Sequence, residues 1–224
     1  MSRATKAIIF DLDGVIVDTE PLNKICMFEF LATLGVKGPR TFPENLQGLN
    51  TKAYWTRVKD EYNLQQPIAE LIQRWRPYYI SYLSSLDQIP VISGIPELID
   101  YFLSSSYQLA IASSANPKRI KLILDKVQLA HPFNAIIDGD AYAESKPAPD
   151  CFLLAAKRLG VEPVECIVIE DSTNGVRAAK AAHMRCIGYG GSDHNTDDLS
   201  LADIVIHDFT HLAQSLRAGN SLPI

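Results

Sequence analysis

The spacing of apolar positions changes character at Thr19. Before it, Ala7-Ile8-Ile9-Phe10 form a short unbroken apolar run that leads into Asp11, Asp13 and Gly14, the pattern of a buried strand whose carboxyl end carries charge. After it, Leu22, Ile25, Cys26, Phe28, Phe30, Leu31 and Leu34 trace a helical stripe that stops at Gly35. Two further helical patterns come next, Thr51 to Tyr62 and Ile68 to Leu86, with a polar stretch between them. Their aromatics, Tyr54, Trp55, Trp75, Tyr78, Tyr79 and Tyr82, read as packing between helices, with a few left over to line a cleft.

From Ile89 the pattern alternates. A helix opens at Gly94-Ile95-Pro96 and runs through Leu103, succeeded by a strand from Gln108 to Ala112 and a helix from Pro117 to Val127. Next come a strand at Ala135-Ile136-Ile137, a helix from Pro149 to Leu159 and a strand from Cys166 to Ile169. A helix from Asn174 to Ala182, strands at 185–188 and 204–206, and a helix from Phe209 to Leu216 complete the chain. Such alternation predicts an α/β fold with a doubly wound, Rossmann-like parallel sheet. Residues 1–18 plus 89–224 are expected to form this core, and residues 19–88 an inserted all-helical cap domain.

Composition narrows the class. With 224 residues, 47% of them apolar and 21% charged, the chain can bury a sizeable core and reads as globular. Its net charge is −5 and it has no dense Lys/Arg block, which argues against a nucleic-acid or anionic-membrane partner. Cys26, Cys151, Cys166 and Cys186 show no C-x-x-C spacing and sit in apolar surroundings, so they read as buried free thiols of a reducing compartment. The apolar run after Lys6 is too short for a secretory signal, and none approaches the about 20 residues of a membrane span. The expectation is a cytoplasmic protein.

Ligands of doubly wound sheets bind beyond the carboxyl ends of the strands, so the residues just past each strand matter most. Here those positions hold Asp11 and Asp13, Ser113-Ser114, and Glu170-Asp171, with Ser145-Lys146-Pro147 in the loop before the helix at Pro149. Singly, each has an ordinary reading: a turn, a cap, a solvated lysine. Together they make a site. Side chains at i and i+2 of an extended chain share a face, so Asp11 and Asp13 converge. Two acids at one point need a cation or a proton between them. Carboxylates, one ammonium and hydroxyls suit a phosphoryl group with Mg²⁺, held by Asp11, Asp171 and Glu170. Asp11 is then the candidate nucleophile and Asp13 the acid/base, while Ser113 and Lys146 hold phosphoryl oxygens.

The ordered segments Asp-Leu-Asp-Gly-Val-Ile-Val-Asp-Thr-Glu-Pro-Leu, Ile-Ala-Ser-Ser, Ser-Lys-Pro-Ala-Pro-Asp and Ile-Glu-Asp-Ser-Thr-Asn-Gly-Val resemble the four motifs of the haloacid dehalogenase superfamily. The likeness is to its branch of β-phosphoglucomutase and small sugar-phosphate and phosphoglycolate phosphatases, and it spans essentially the whole chain. It implies the same roles for Asp11, Asp13, Ser113, Lys146, Glu170 and Asp171, and adds the backbone carbonyl of Asp13 as a metal ligand. It also implies a monomer acting on a small phosphorylated metabolite. Dehalogenases of the superfamily lack a carboxylate at the position of Asp13, since halide leaves without a proton, so phosphoryl transfer is expected.

The cap decides between hydrolysis and mutase action. Mutases of this branch carry His, Arg and Lys where the chain has Asn23, Thr51 and Trp75, although Arg74 and Arg76 flank the last. A phosphatase acting through an aspartyl-phosphate is therefore favoured, with the β-phosphoglucomutase-type reaction as the alternative. Glu20 is expected to face substrate hydroxyls, Arg76 a distal anionic group, and Ser114 and Asn116 the phosphate, unless Asn116 caps the helix at Pro117. Asn174 reads as another cap. His131, His183, His194, His207 and His211 form no ligand spacing and read as structural or surface residues. A catalytically idle phospho-ligand-binding protein would have lost Asp11, Asp13 or Lys146, and all three are present.

Overall fold

Strand β1 (Ala7–Phe10) lies at the centre of the sheet, and all four of its residues are fully buried. The computed structural model describes residues 4–37, 46, 49, 51–129, 131–191 and 197–224. After β1 come helices α1 (Glu20–Thr33), α2 (Thr51–Glu61), α3 (Ile68–Ser85) and α4 (Ile95–Ser104). Alternation then begins: β2 (Gln108–Ala112), α5 (Pro117–Lys126), β3 (Ala135–Ile137), α6 (Asp150–Leu159) and β4 (Cys166–Glu170). The chain finishes with α7 (Thr173–Ala181), β5 (Arg185–Tyr189), β6 (Ile204–Ile206) and α8 (Phe209–Arg217).

The strands pair in parallel in the order β3-β2-β1-β4-β5-β6. This is the doubly wound arrangement, with its switch point where β1 meets β4. Phe10 is in register with Ile111 on one side and Ile169 on the other, so the residues just beyond β1, β2 and β4 emerge together at one edge.

Alternate strand residues feed opposite faces. Ile8, Phe10, Leu109, Ile111, Ile167 and Ile169 pack against α4, α5 and α8, whereas Ala7, Ile9, Ala110, Ala112, Cys166 and Val168 pack against α6 and α7. The second face is built largely of small side chains, and α6 and α7 answer with Ala155, Ala156, Ala178 and Ala179. Cys26, Cys151, Cys166 and Cys186 are all buried and free, as small apolar residues would be.

Helices α1, α2 and α3 form the cap inserted between β1 and α4. Their contact is aromatic: Phe30 sits 5.6 Å from Trp55 and 5.3 Å from Trp75, and Trp75 stacks on Tyr79 at 4.9 Å. The two chain crossings between cap and sheet run side by side, Asp18 N donating to Pro90 O and Ile92 N to Ile16 O. No helix among the described residues is long and apolar enough to cross a membrane.

Candidate active site

The end of β1 fixes the first carboxylates. Asp11 N donates to Ile169 O at 2.9 Å, which ties the residue to β4, and the chain then turns at Gly14, whose φ of +85° favours glycine. A side chain at Gly14 is also excluded by space, because a Cβ there would lie 1.9 Å from Asp171 Oδ2. Gly14 thus lets the first acidic turn approach the carboxylate just beyond β4.

Lys146 joins the two strand ends. Its ammonium lies 2.5 Å from Asp11 Oδ1, 2.7 Å from Glu170 Oε1 and 3.3 Å from Ala112 O, with the side chain wholly buried. Glu170 is held further by Ser172, whose N–H and hydroxyl donate to Oε2 at 2.7 and 3.0 Å. Gly175 makes room for that carboxylate, since a Cβ there would fall 1.7 Å from Glu170 Oε1. Asp11, Glu170 and Asp171 each present an oxygen, and these oxygens lie within 4.8 Å of one another.

Three buried carboxylates face one buried ammonium. Burial, then the neighbouring Glu170 and Asp13, push Asp11 up to about 7 against the opposing pull of Lys146. Burial, Glu170 and Asp11 likewise hold Asp171 well above the usual carboxylate range. Burial alone would lower Lys146, yet Asp11 and Glu170 raise it well above its ordinary value, so it stays charged. The donor set is therefore short of positive charge. Oxygen ligands of this kind fit a hard divalent cation, whose charge would favour the ionised forms of Asp11 and Asp171.

Asp13 stands slightly apart. Thr19 Oγ1 and Arg119 Nη2 both donate to its Oδ1. Arg119 belongs to none of the motifs read from the sequence. It lies in the first turn of α5, where a cation opposes the helix dipole, and that mismatch is the one local signal it carries. Burial would lower it, but Asp13 in contact keeps it above its ordinary value.

The cleft above these groups is lined by Asp11, Asp13, Ser113, Ser114 and Asp171 from the core and by Glu20, Asn23, Thr51, Tyr54, Trp55 and Trp75 from the cap. Ser113 Oγ accepts from Ala115 N at 3.1 Å, and the Ser114 hydroxyl lies 3.3 Å from that of Tyr142. Asn23 donates to Tyr54 OH at 3.3 Å.

Two expected substrate contacts lie elsewhere. Arg76 pairs with Asp140 at 2.8 Å on the outer surface, bridging cap and core, because its place on α3 directs it away from the cleft lining. Asn116 caps α5: its Oδ1 accepts from Arg119 N at 3.1 Å, the second of the two roles open to it. Asn174 is not a cap. Ser172, in extended conformation, accepts from Gly175 N at 3.0 Å and starts α7, leaving Asn174 inside the helix. His207 Nδ1 lies 2.8 Å from Gly190 O and does not reach the site; His194 falls outside the described residues.

The family model for haloacid dehalogenase-like hydrolases matches residues 8–189. β-Phosphoglucomutase of Bacillus subtilis is 30% identical, over 88% of this chain and 92% of its own length. Hexitol phosphatase B of Escherichia coli is 30% identical, over 94% and 95%. The crystal structure of CbbY from Rhodobacter sphaeroides in complex with xylulose-(1,5)bisphosphate superimposes with a TM-score of 0.80 at 28% identity, covering 93% of this chain and 96% of that one.

Proposed function

The chain belongs to the haloacid dehalogenase-like hydrolases, and from that premise we propose that it is a Mg²⁺-dependent phosphatase of a small sugar-phosphate-like monoester. The observation that carries the reading is the placement of Asp11 beside Lys146 and the Glu170-Asp171 pair, with Asp13 alongside at the same sheet edge.

In this mechanism Lys146 holds Asp11 through Oδ1, leaving the second carboxylate oxygen without a hydrogen bond from the described residues. That oxygen attacks phosphorus, an Asp11–phosphorus bond forms, and the bond to the alcohol oxygen breaks. Asp13 gives its proton to the departing oxygen. A water molecule then attacks phosphorus and loses a proton to Asp13, freeing phosphate and restoring Asp11. Ser113 and Lys146 hold phosphoryl oxygens throughout. Asp11, Asp171 and Glu170, with the Asp13 carbonyl, would hold magnesium, which would supply the positive charge that the carboxylate set lacks.

The cap favours hydrolysis over the mutase reaction. A mutase must also bind a second phosphoryl group, yet Arg119 is the sole cation among the described residues that line the cleft, and it already pairs with Asp13. Asn23, Tyr54 and Trp55 instead offer neutral donors and ring faces, which suit hydroxylated carbon chains. Glu20 adds an acceptor for hydroxyls. The name of the hexitol phosphatase points to the same substrate class.

A panel containing glucose 6-phosphate, fructose 1-phosphate and phosphoglycolate, run with Mg²⁺ beside β-glucose 1-phosphate plus a bisphosphate primer, tests the choice. Phosphate release supports the phosphatase. Formation of glucose 6-phosphate without release would replace it with the mutase.

A further inference from the structure

Arg119 touches both halves of the molecule. From the first turn of α5 its Nη2 donates to Asp13 Oδ1, while its guanidinium carbon sits 4.9 Å above the ring of Tyr79 on α3. Tyr79 belongs to the aromatic stack of the cap and is only 2% exposed, so its position tracks that of the cap. Arg119 Nε is buried without a hydrogen-bond partner among the described residues, as is the Tyr79 hydroxyl. The guanidinium is thus fixed by one carboxylate below and one ring face above.

Asp13 is held through a single oxygen. Thr19 and Arg119 both donate to Oδ1, and Oδ2 receives no hydrogen bond from the described residues. Removing the ring would leave Arg119 with the rotamer freedom of a long side chain, and Asp13 with Thr19 as its one fixed donor.

We propose that Arg119 is a positioning residue through which the seated cap, by the face of Tyr79, places Asp13 against the leaving-group oxygen. The inference rests on the phosphatase reading and assigns Arg119 no contact with substrate. It separates two duties of cap closure: water exclusion by the cap as a whole, and orientation of the acid by one ring and one guanidinium.

A general acid matters only where the leaving group needs a proton. An alkyl phosphate expels a strongly basic alkoxide unless it is protonated, whereas p-nitrophenyl phosphate expels a stable phenolate. The parameter kcat/KM reports the steps through departure of the alcohol and excludes later hydrolysis of the phosphorylated aspartate, so it isolates that demand. Wild-type, Arg119→Gln, Tyr79→Leu and Tyr79→Phe proteins are compared on p-nitrophenyl phosphate and on the fastest alkyl phosphate of the panel. Arg119→Gln and Tyr79→Leu are expected to lower kcat/KM for the alkyl ester by about 100-fold while the aryl ester loses only a few-fold. Tyr79→Phe keeps the ring face and should recover most of the alkyl-ester rate lost in Tyr79→Leu. Tyr79→Leu leaves Arg119 and Asp13 intact, so the comparison stands even if Arg119→Gln fails to fold. Equal losses on both esters, or none on the alkyl ester, overturn the assignment while leaving the phosphatase reading in place. A wild-type protein that hydrolyses neither ester removes both.

Discussion

Lys146 Nζ lies 2.5 Å from Asp11 Oδ1 inside the protein, a buried ion pair that joins the loop before α6 to the end of β1. With Glu170 2.7 Å away on the other side, one ammonium serves two carboxylates. Removing one partner of such a pair leaves the others uncompensated, at a cost of about 3–5 kcal/mol. Lys146→Met is therefore expected to lower stability by that order at pH 8 in the absence of metal, measured by urea denaturation, and by less at pH 5. Equal loss at both values would mean that the carboxylates are not the reason Lys146 is buried.

The raised Asp11 and Asp171 give the metal-free protein a defined pH response. Above the ordinary carboxylate value of 3.8 the unfolded chain has lost these protons, whereas the folded protein holds the Asp11 proton until about 7 and that of Asp171 well beyond 3.8. The folded state binds more protons in this window, so its stability falls as pH rises. Asp198, Asp203 and Asp208, lowered chiefly by hydrogen bonds to their carboxylates, have the opposite sign but act below 3.8. Tm without divalent cation should drop between pH 5 and pH 8, and Mg²⁺ should raise Tm more at pH 8 than at pH 5. A metal response of equal size at both would contradict the charge deficit inferred for the site.

Gly175 tests the second layer of the metal site. In Gly175→Ala the new methyl group meets the Glu170 carboxylate and must move it away from Lys146 and Ser172. Breaking the contacts that orient a metal ligand costs about 10–100-fold in affinity. Calorimetric titration with Mg²⁺ should show a loss of that order. Unchanged affinity would place Glu170 outside the metal-binding set.

Asn116 and Arg76, expected from the sequence at the phosphate and at a distal anion, each have another partner in the structure. Asn116→Ala is predicted to cost about 1 kcal/mol of stability through loss of the α5 cap, without raising KM. Arg76→Ala should leave KM unchanged as well, and its exposed pair with Asp140 is worth at most about 1 kcal/mol. A large rise in KM with unaltered stability, for either variant, would return that residue to the cleft.

The sequence makes the frame legible because apolar runs and strand-end chemistry are local. The predicted bounds of β2, β3 and β6 coincide with those observed, and β4 and β5 extend one residue further. Asp11, Asp13, Lys146, Glu170 and Asp171 can be placed together because parallel strands deliver their carboxyl ends to one edge. The features that escape a linear reading depend on reach across elements. Arg119 contacts a residue 106 positions away, and its fork is claimed by Asp13 and Tyr79 only once α5 and α3 are packed. Arg76 finds Asp140 in the same way. Asn174 reads wrongly as a cap because Ser172, two residues earlier, is equally capable, and the extended backbone at Ser172 decides between them.

The central claim is that Asp11 carries the phosphoryl group. Acid quench of the wild-type enzyme during turnover with Mg²⁺, with peptide mass mapping afterwards, should find a phosphorylated peptide containing Asp11. Asp11→Asn, prepared so as to exclude deamidation, should show neither that peptide nor phosphate release. Full turnover by Asp11→Asn, with no phosphorylated peptide in the wild type, would contradict the account.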